Sequence, residues 1–296
     1  MTSLPVPSAA RPAVLAALLL AATALAGCAP QSTADSAAAG TGAAAGPCAK
    51  GALATLKSGT LTVGTDKPAY EPWFSGDDPA NGKGYEAAVA YAVAERLGYP
   101  KERVSWVVSP FNKAFAPGAK DFDFDVNQVS VSEERRQAVD FSPGYYRVRQ
   151  TVVALKGSKF ASAKSLADLK GAKLGAQVGT TSLAAVTDQI RPSVQPAVFD
   201  SNDLAKSALK NGQIDALVLD LPTAFFVTGA EVTDAQVVGQ LEGTGAAPEE
   251  FGLVLDKGSA LTGCVGQAVE GLRADGTLAA LEKQWLSDAV SAPVLR

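Results

Sequence analysis

Between residues 60 and 286, short apolar runs alternate with segments of helical spacing, and this alternation is the strongest constraint on the fold. Residues 60–65, 103–108, 122–129, 172–176, 194–199 and 214–219 read as strands. Residues 84–98 place Ala88, Val89, Ala92, Val93 and Leu97 on one helical face, and Gly98 stops it. Ser132, with Glu133 and Glu134 behind it, opens a short helix, and helices start at Thr180 and Ser201 as well. Residues 145–155 read as one long strand able to cross between two bodies, and residues 251–255 as the return. Helices over 261–274 and 278–286 finish the chain. Strands alternating with helices give α/β layers. The stretch is longer than one comfortable α/β unit, so two lobes are expected.

An internal echo supports two lobes. Phe115 to Asp123 precedes a strand ending at Gln128, and Lys210 to Asp215 precedes one ending at Asp220. In each, a glycine-broken helix leads to a strand with polar residues at its carboxyl end. Open α/β sheets bind ligands there.

Composition removes several chemistries. The 296 residues contain no histidine, which excludes histidine-based triads and most zinc sites. The formal net charge of −4 does not suit nucleic acid, which asks for a basic face. No residue pattern demands a metal or cofactor.

Arg11 precedes an apolar run over residues 13–26, too short for a membrane span but suited to a signal peptide. The run ends in Leu25-Ala26-Gly27-Cys28, which looks like a lipobox. In such signals the Gly27–Cys28 bond is cleaved and Cys28 carries the acyl chains, palmitate among them. An ordinary secretory signal with an incidental cysteine is the other reading. Residues 1–27 are then the signal and residues 28–47, rich in Ala, Gly, Ser and Thr, a flexible tether. Cys48 and Cys264 remain, an even pair that invites a disulfide in an oxidising compartment; two free buried thiols are the alternative.

Nine segments in order carry a resemblance. They are Val63-Gly-Thr-Asp66, Tyr70-Glu-Pro-Trp73, Ser132-Glu-Glu-Arg135, Val139-Asp-Phe-Ser-Pro-Gly-Tyr-Tyr146, Asp168-Leu-Lys-Gly171, Val178-Gly-Thr-Thr-Ser182, Gly212-Gln-Ile-Asp-Ala216, Asp220-Leu-Pro222 and Ala274-Asp-Gly-Thr277. Together they resemble the polar amino-acid-binding receptors of ABC importers, the extracellular solute-binding proteins of family 3. The resemblance implies an α/β, two-lobed, periplasmic-binding-protein-like (type II) fold, each lobe a sheet flanked by helices, joined by two crossing strands. Lobe one would hold residues 48–148 plus 250–296 and lobe two residues 149–249. Cys48 and Cys264 would share lobe one, which favours their bridge.

The resemblance also implies a site for a free amino acid, with no cofactor, metal or catalytic group. Arg135 matches the carboxylate clamp, and a guanidinium fork suits that anion. Ser130 and the backbone near Val129 would add donors. The helix start at Thr180 and Thr181 would offer N–H groups from the other lobe, a role compatible with capping. Asp220 would take the ammonium, with an N-cap as its plainer reading, and Asp66 the ammonium or a polar side chain. Tyr70, Trp73 and Phe111 would wall the side chain, or serve as core. Gln128, beside Asn127, and Gln177 depart from the family pattern and would reshape the pocket. Asp123 and Asp215 read as structural residues at strand entries. Implied partners are an ABC permease and its ATPase in trans, and a membrane reached through the lipid, with the chain a monomer on the extracytoplasmic face. A solute sensor or adaptor, and a cyclohexadienyl-dehydratase-like enzyme, are other readings of the same fold.

Overall fold

The computed structural model describes residues 48–49, 53–243, 248–286 and 291–296. The signal segment, Cys28 and the tether up to residue 47 lie outside the described residues.

The chain opens with β1 (Leu61–Thr65), wholly buried, then α1 (Tyr85–Arg96), β2 (Val104–Val108), the single turn α2 (Phe111–Ala114) and the short β3 (Phe124–Asp125). Next come α3 (Glu133–Ala138), β4 (Val139–Phe141), β5 (Tyr146–Arg147) and β6 (Gln150–Leu155). The middle holds β7 (Leu174–Gln177), α4 (Thr181–Ala185), β8 (Ala197–Phe199), α5 (Asn202–Lys210), β9 (Ala216–Asp220), α6 (Leu221–Phe226) and β10 (Ala235–Leu241). The chain returns through β11 (Glu250–Phe251) and β12 (Val254–Asp256), and ends in α7 (Thr262–Ala274), α8 (Thr277–Leu286) and β13 (Val294–Leu295).

These strands form two mixed sheets. The first runs β2-β1-β3-β12-β4 and the second β13-β10-β6-β9-β7-β8. Between them β5 and β11 pair antiparallel, Arg147 opposite Glu250 and Tyr146 opposite Phe251. The long strand expected over 145–155 is therefore two strands. Residues 148–149 separate a ladder made with the return strand from one made inside the second sheet. The return breaks in the same way between β11 and β12. Two crossing strands thus connect two α/β lobes, as expected from the sequence.

Local chemistry fixes the helix starts. The hydroxyls of Ser132, Thr180 and Ser201 accept from the backbone N–H groups of Arg135, Leu183 and Leu204. Each satisfies a donor that the first helical turn would otherwise leave unpaired. The core of lobe one gathers Trp73, Phe74, Tyr85, Phe124 and Phe251 under α1, α7 and α8. Lobe two buries apolar groups on both faces of its sheet. Asp123 accepts from the N–H groups of Leu56 and Thr62, and Asp215 from that of Lys173, so both are structural anchors.

Cys48 and Cys264 form a disulfide with their Cα atoms 5.3 Å apart. It closes a span of 216 residues, a loop length for which chain entropy gives roughly 5 kcal/mol.

One expected boundary differs. Residues 250–296 were assigned to lobe one as a block, yet β13 pairs in parallel with β10 of the second sheet. Leu295 is buried in that lobe's core, and Gln240 holds the carbonyls of Ala292 and Pro293. Gly239 makes room for this tail, since a Cβ there would lie 2.7 Å from the Pro293 carbonyl oxygen. Val294 and Leu295 alone are too short an apolar run to read as a strand.

Candidate functional site

A cleft between the lobes is lined by Asp66, Tyr70, Phe111, Asn127 and Gln128 from lobe one. Lobe two contributes Gln177, Thr180, Thr181, Ser182, Asn202, Leu219 and Asp220. The two strand ends singled out in the sequence, Gln128 and Asp220, thus face the same space.

Contacts across the cleft hold the lobes together. Arg135 of α3 is buried, and its two terminal nitrogens donate to the Ser130 carbonyl (2.6 Å) and the Gly179 carbonyl (2.9 Å) of the opposite lobe. Its guanidinium lies 4.2 Å from the ring centre of Phe115 and 5.7 Å from that of Phe111. Gly179 has φ 75° and a Cβ there would meet Asn112 Oδ1 at 2.2 Å, so only glycine permits this approach. Ser130 Oγ is 3.2 Å from Thr181 Oγ1, and Trp73 Nε1 donates to Thr223 Oγ1 (2.8 Å).

Residues 61–288 match one family, the bacterial extracellular solute-binding proteins, family 3. The chain belongs to that family. It is 30% identical over 241 residues to the L-cystine-binding protein TcyJ of Escherichia coli (strain K12), covering 79% of this chain and 85% of the relative. The ABC transporter glutamine-binding protein GlnH of Bacillus subtilis (strain 168) is 28% identical, covering 71% of this chain and 76% of the relative. Among solved structures, an ancestral arginine-binding protein bound to glutamine superposes with a TM-score of 0.63 at 32% identity, over 76% of this chain and 97% of that one.

Within this family-3 site, Asp220 is half-buried at the carboxyl end of β9. Burial first, then the charge of Glu249, pushes its carboxyl up to about 8, while the hydrogen bond from Gln150 opposes the shift. Asp220 is the N-cap residue of α6, but its side chain makes no capping bond there and lines the cleft. Asp66 is raised by burial, against bonds from the N–H groups of Lys67 and Phe111. Burial lowers Arg135 to about 10, opposed by Glu249, Glu134 and Asp220, so it is charged at neutral pH. Among the described residues neither Asp220 nor Arg135 makes an ion pair within 4.0 Å.

Gln128 adopts φ 49°, a left-handed backbone. Its backbone N–H and side-chain amide both donate to Glu86, which also accepts from the Tyr145 hydroxyl. Glu86 is fully buried, and burial moves its carboxyl up to about 7 against these three bonds. Thr180 both caps α4 and donates to the Gln177 carbonyl (2.7 Å). The Tyr70 ring faces the cleft on one side and Lys206 Nζ at 5.4 Å on the other.

Four expected site residues do not line the cleft. Trp73 is 0% exposed, packed edge-on against Tyr85, Tyr146 and Phe251, so it wedges the crossing strands instead of walling the cleft. Val129 is equally buried, in a small core with Val139, Phe141 and Val254, and its carbonyl accepts from Gly252 N. Ser130 is buried behind the lining and bonds Glu249 and Thr181. Arg135 lies beside the cleft, facing a neighbouring cavity with Phe115 and Gly179.

Other residues escaped the sequence reading. Asn202 lines the cleft from the start of α5 and Leu219 from β9, and Gln150 and Glu249 bond the site from the two crossings. Gln150 follows Arg147 and Arg149 and precedes Thr151, so its polarity did not set it apart in the sequence. Nothing in the sequence distinguished Glu249 from its neighbour Glu250.

Proposed function

We propose that this chain is the extracytoplasmic receptor of an ABC importer that closes on a free, polar amino acid and passes it to a membrane permease driven by its ATPase. One observation carries the reading. A half-buried carboxyl at the inter-lobe cleft, Asp220, and a buried guanidinium beside it, Arg135, come from opposite lobes, and among the described residues neither makes an ion pair within 4.0 Å. A zwitterion supplies the missing partner of each, and an unpaired buried charge is costly. Its ammonium would meet Asp220, and its carboxylate Arg135 with the N–H groups at Thr180 and Thr181. Tyr70 and Phe111 would cover the side chain, while Asp66, Gln128 and Gln177 would bond its polar end, joined by Asn127 and Asn202.

Because groups from both lobes contact one ligand, binding favours the closed arrangement by differential contacts. The relatives' names, which include cystine- and glutamine-binding proteins, support an amino acid ligand. The lipobox-like ending at Cys28 supports a lipid anchor, and a monomer suffices for the site, since one chain supplies both walls.

The test is the melting temperature of residues 48–296 against twenty free amino acids and the corresponding decarboxylated amines. Ligand at a thousand times Kd adds about 4 kcal/mol. A shift with one or a few polar amino acids, absent with their amines, is the expected outcome. No shift with any amino acid would overturn the reading.

A further inference from the structure

Hydrogen counting at the hinge end of the cleft identifies a residue that acts on recognition from outside the lining. A serine hydroxyl owns one hydrogen and a carboxylate owns none. Ser130 Oγ stands 2.6 Å from Glu249 Oε1, so its hydrogen points at Glu249. In the 3.2 Å contact between Ser130 and Thr181, Thr181 must therefore be the donor. Gln150 has its amide oriented by Ser182, whose hydroxyl donates to Gln150 Oε1 (2.6 Å). The Gln150 nitrogen then faces Asp220 Oδ1 (3.0 Å), Thr181 Oγ1 (3.2 Å) and Glu249 Oε1 (3.3 Å). Its two hydrogens are spent on these three acceptors.

The circuit runs in one direction, from Gln150 through Thr181 and Ser130 to Glu249, with a branch to Asp220. Every side-chain hydrogen in it is consumed internally. With Asp220 ionised, what the circuit's side chains offer the cleft, at Asp220 and Thr181, is lone pairs. Such an end is matched by a group that brings only hydrogens and positive charge.

We propose that Glu249, on the return crossing, is a positioning residue for amino-group recognition: it holds the Ser130 hydroxyl turned away from the cleft, so that this end of the site presents acceptors alone and selects an ammonium over a hydroxyl. Ser130 then acts as an acceptor, the reverse of the donor role implied by family resemblance. The surrounding charges agree. Arg135 is held on two carbonyls, Glu86 adds further negative charge toward Asp220, and Arg149, Asp188 and Glu242 line the cavity behind Glu249. Burial and the Glu249 charge both raise the Asp220 carboxyl, as expected for acceptors awaiting a cation.

This inference rests on the receptor reading, and the experiment separates the two. Calorimetry would compare the amino acid that binds best in the twenty-member panel with its 2-hydroxy acid analogue, in the wild type, Glu249→Ala, Glu249→Gln and Ser130→Ala. The wild type should prefer the amino acid. Glu249→Ala frees the Ser130 hydrogen and should lower that preference about tenfold or more. Glu249→Gln keeps an acceptor oxygen and should hold it within about threefold. Ser130→Ala removes the acceptor and should lower the preference too, which keeps the test alive if Glu249→Ala does not fold. Equal weakening of both ligands, or an unchanged preference in Glu249→Ala and Ser130→Ala, would overturn the role of Glu249 and leave the receptor reading standing. A wild type that binds none of the amino acids would overturn both.

Discussion

The strand ends of the two lobes meet the same cleft but are secured differently. In lobe one, Gln128 is bonded inward, to Glu86 and through it to Tyr145, all within its own lobe. In lobe two, Asp220 is bonded outward, through Gln150 to Glu249 on the crossing strands. The first arrangement fixes a backbone shape: an amide in a left-handed turn is held by a buried carboxyl. The second links a carboxyl of the cleft to the segments that connect the lobes. Lobe one therefore reads as a preformed wall. Lobe two reads as the part whose polar end depends on the hinge.

The largest expected effect comes from removing the group that spans both lobes. Arg135→Ala should weaken amino acid binding by two orders of magnitude or more, about 3 kcal/mol, since charge-assisted bonds to the ligand disappear. The same change deletes the bonds to the Ser130 and Gly179 carbonyls, so the ligand-free domain should also close less often. Titration calorimetry and small-angle scattering would check both. Near-native affinity would remove Arg135 from the site and leave Asp220 as the sole charged anchor.

A second prediction separates the lobes by pH. Glu86 is held near 7, above its usual 4.5, so the folded protein binds that proton more tightly than the unfolded chain does. Its share of stability is complete below about pH 4.5 and is lost as the pH rises to 7. The loss is on the order of 3 kcal/mol. Asp220, near 8, extends the decline to higher pH. An ammonium beside Asp220 favours its ionised form, so saturating amino acid should abolish that part of the slope and leave the Glu86 part. Urea unfolding from pH 5 to 8.5, with and without ligand, measures this. Glu86→Gln should remove the ligand-independent slope, and an unchanged slope there would break the contrast between the lobes.

Much of the architecture was legible because it depends on patterns that local chemistry writes into the chain. Ser132, Thr180 and Ser201 declared their helices by capping, and the apolar strands ended in polar residues that do face the cleft. Contacts set by tertiary partners were not legible. An aromatic residue in the loop before a glycine-opened helix reads equally as wall or core, and only the ring contacts of the crossing strands put Trp73 inside. Glu249 and Glu250 are identical in sequence terms, yet β11 sends Glu250 to Arg147 at the surface while Glu249 reaches Ser130. The tail pairing of β13 was hidden for the same reason, since a two-residue strand has no period to detect.

Trp73 offers the smallest effect and the finest test of the comparison. It belongs to the core of lobe one, yet its indole N–H donates to Thr223 at the start of lobe two's α6. Its bulk supports lobe one in every state, whereas its hydrogen bond exists only while the lobes are together. Trp73→Phe keeps an aromatic ring and deletes the donor, leaving the nearly buried Thr223 hydroxyl without that partner. A net hydrogen bond is worth about 1 kcal/mol, so affinity should fall roughly fivefold. The ligand-free melting temperature should change little if the empty protein spends most of its time open. A lowered melting temperature with unchanged affinity would instead make Trp73 purely a core residue, and the closed arrangement would then depend on other inter-lobe contacts, those of Arg135, Thr181 and Lys206 among them.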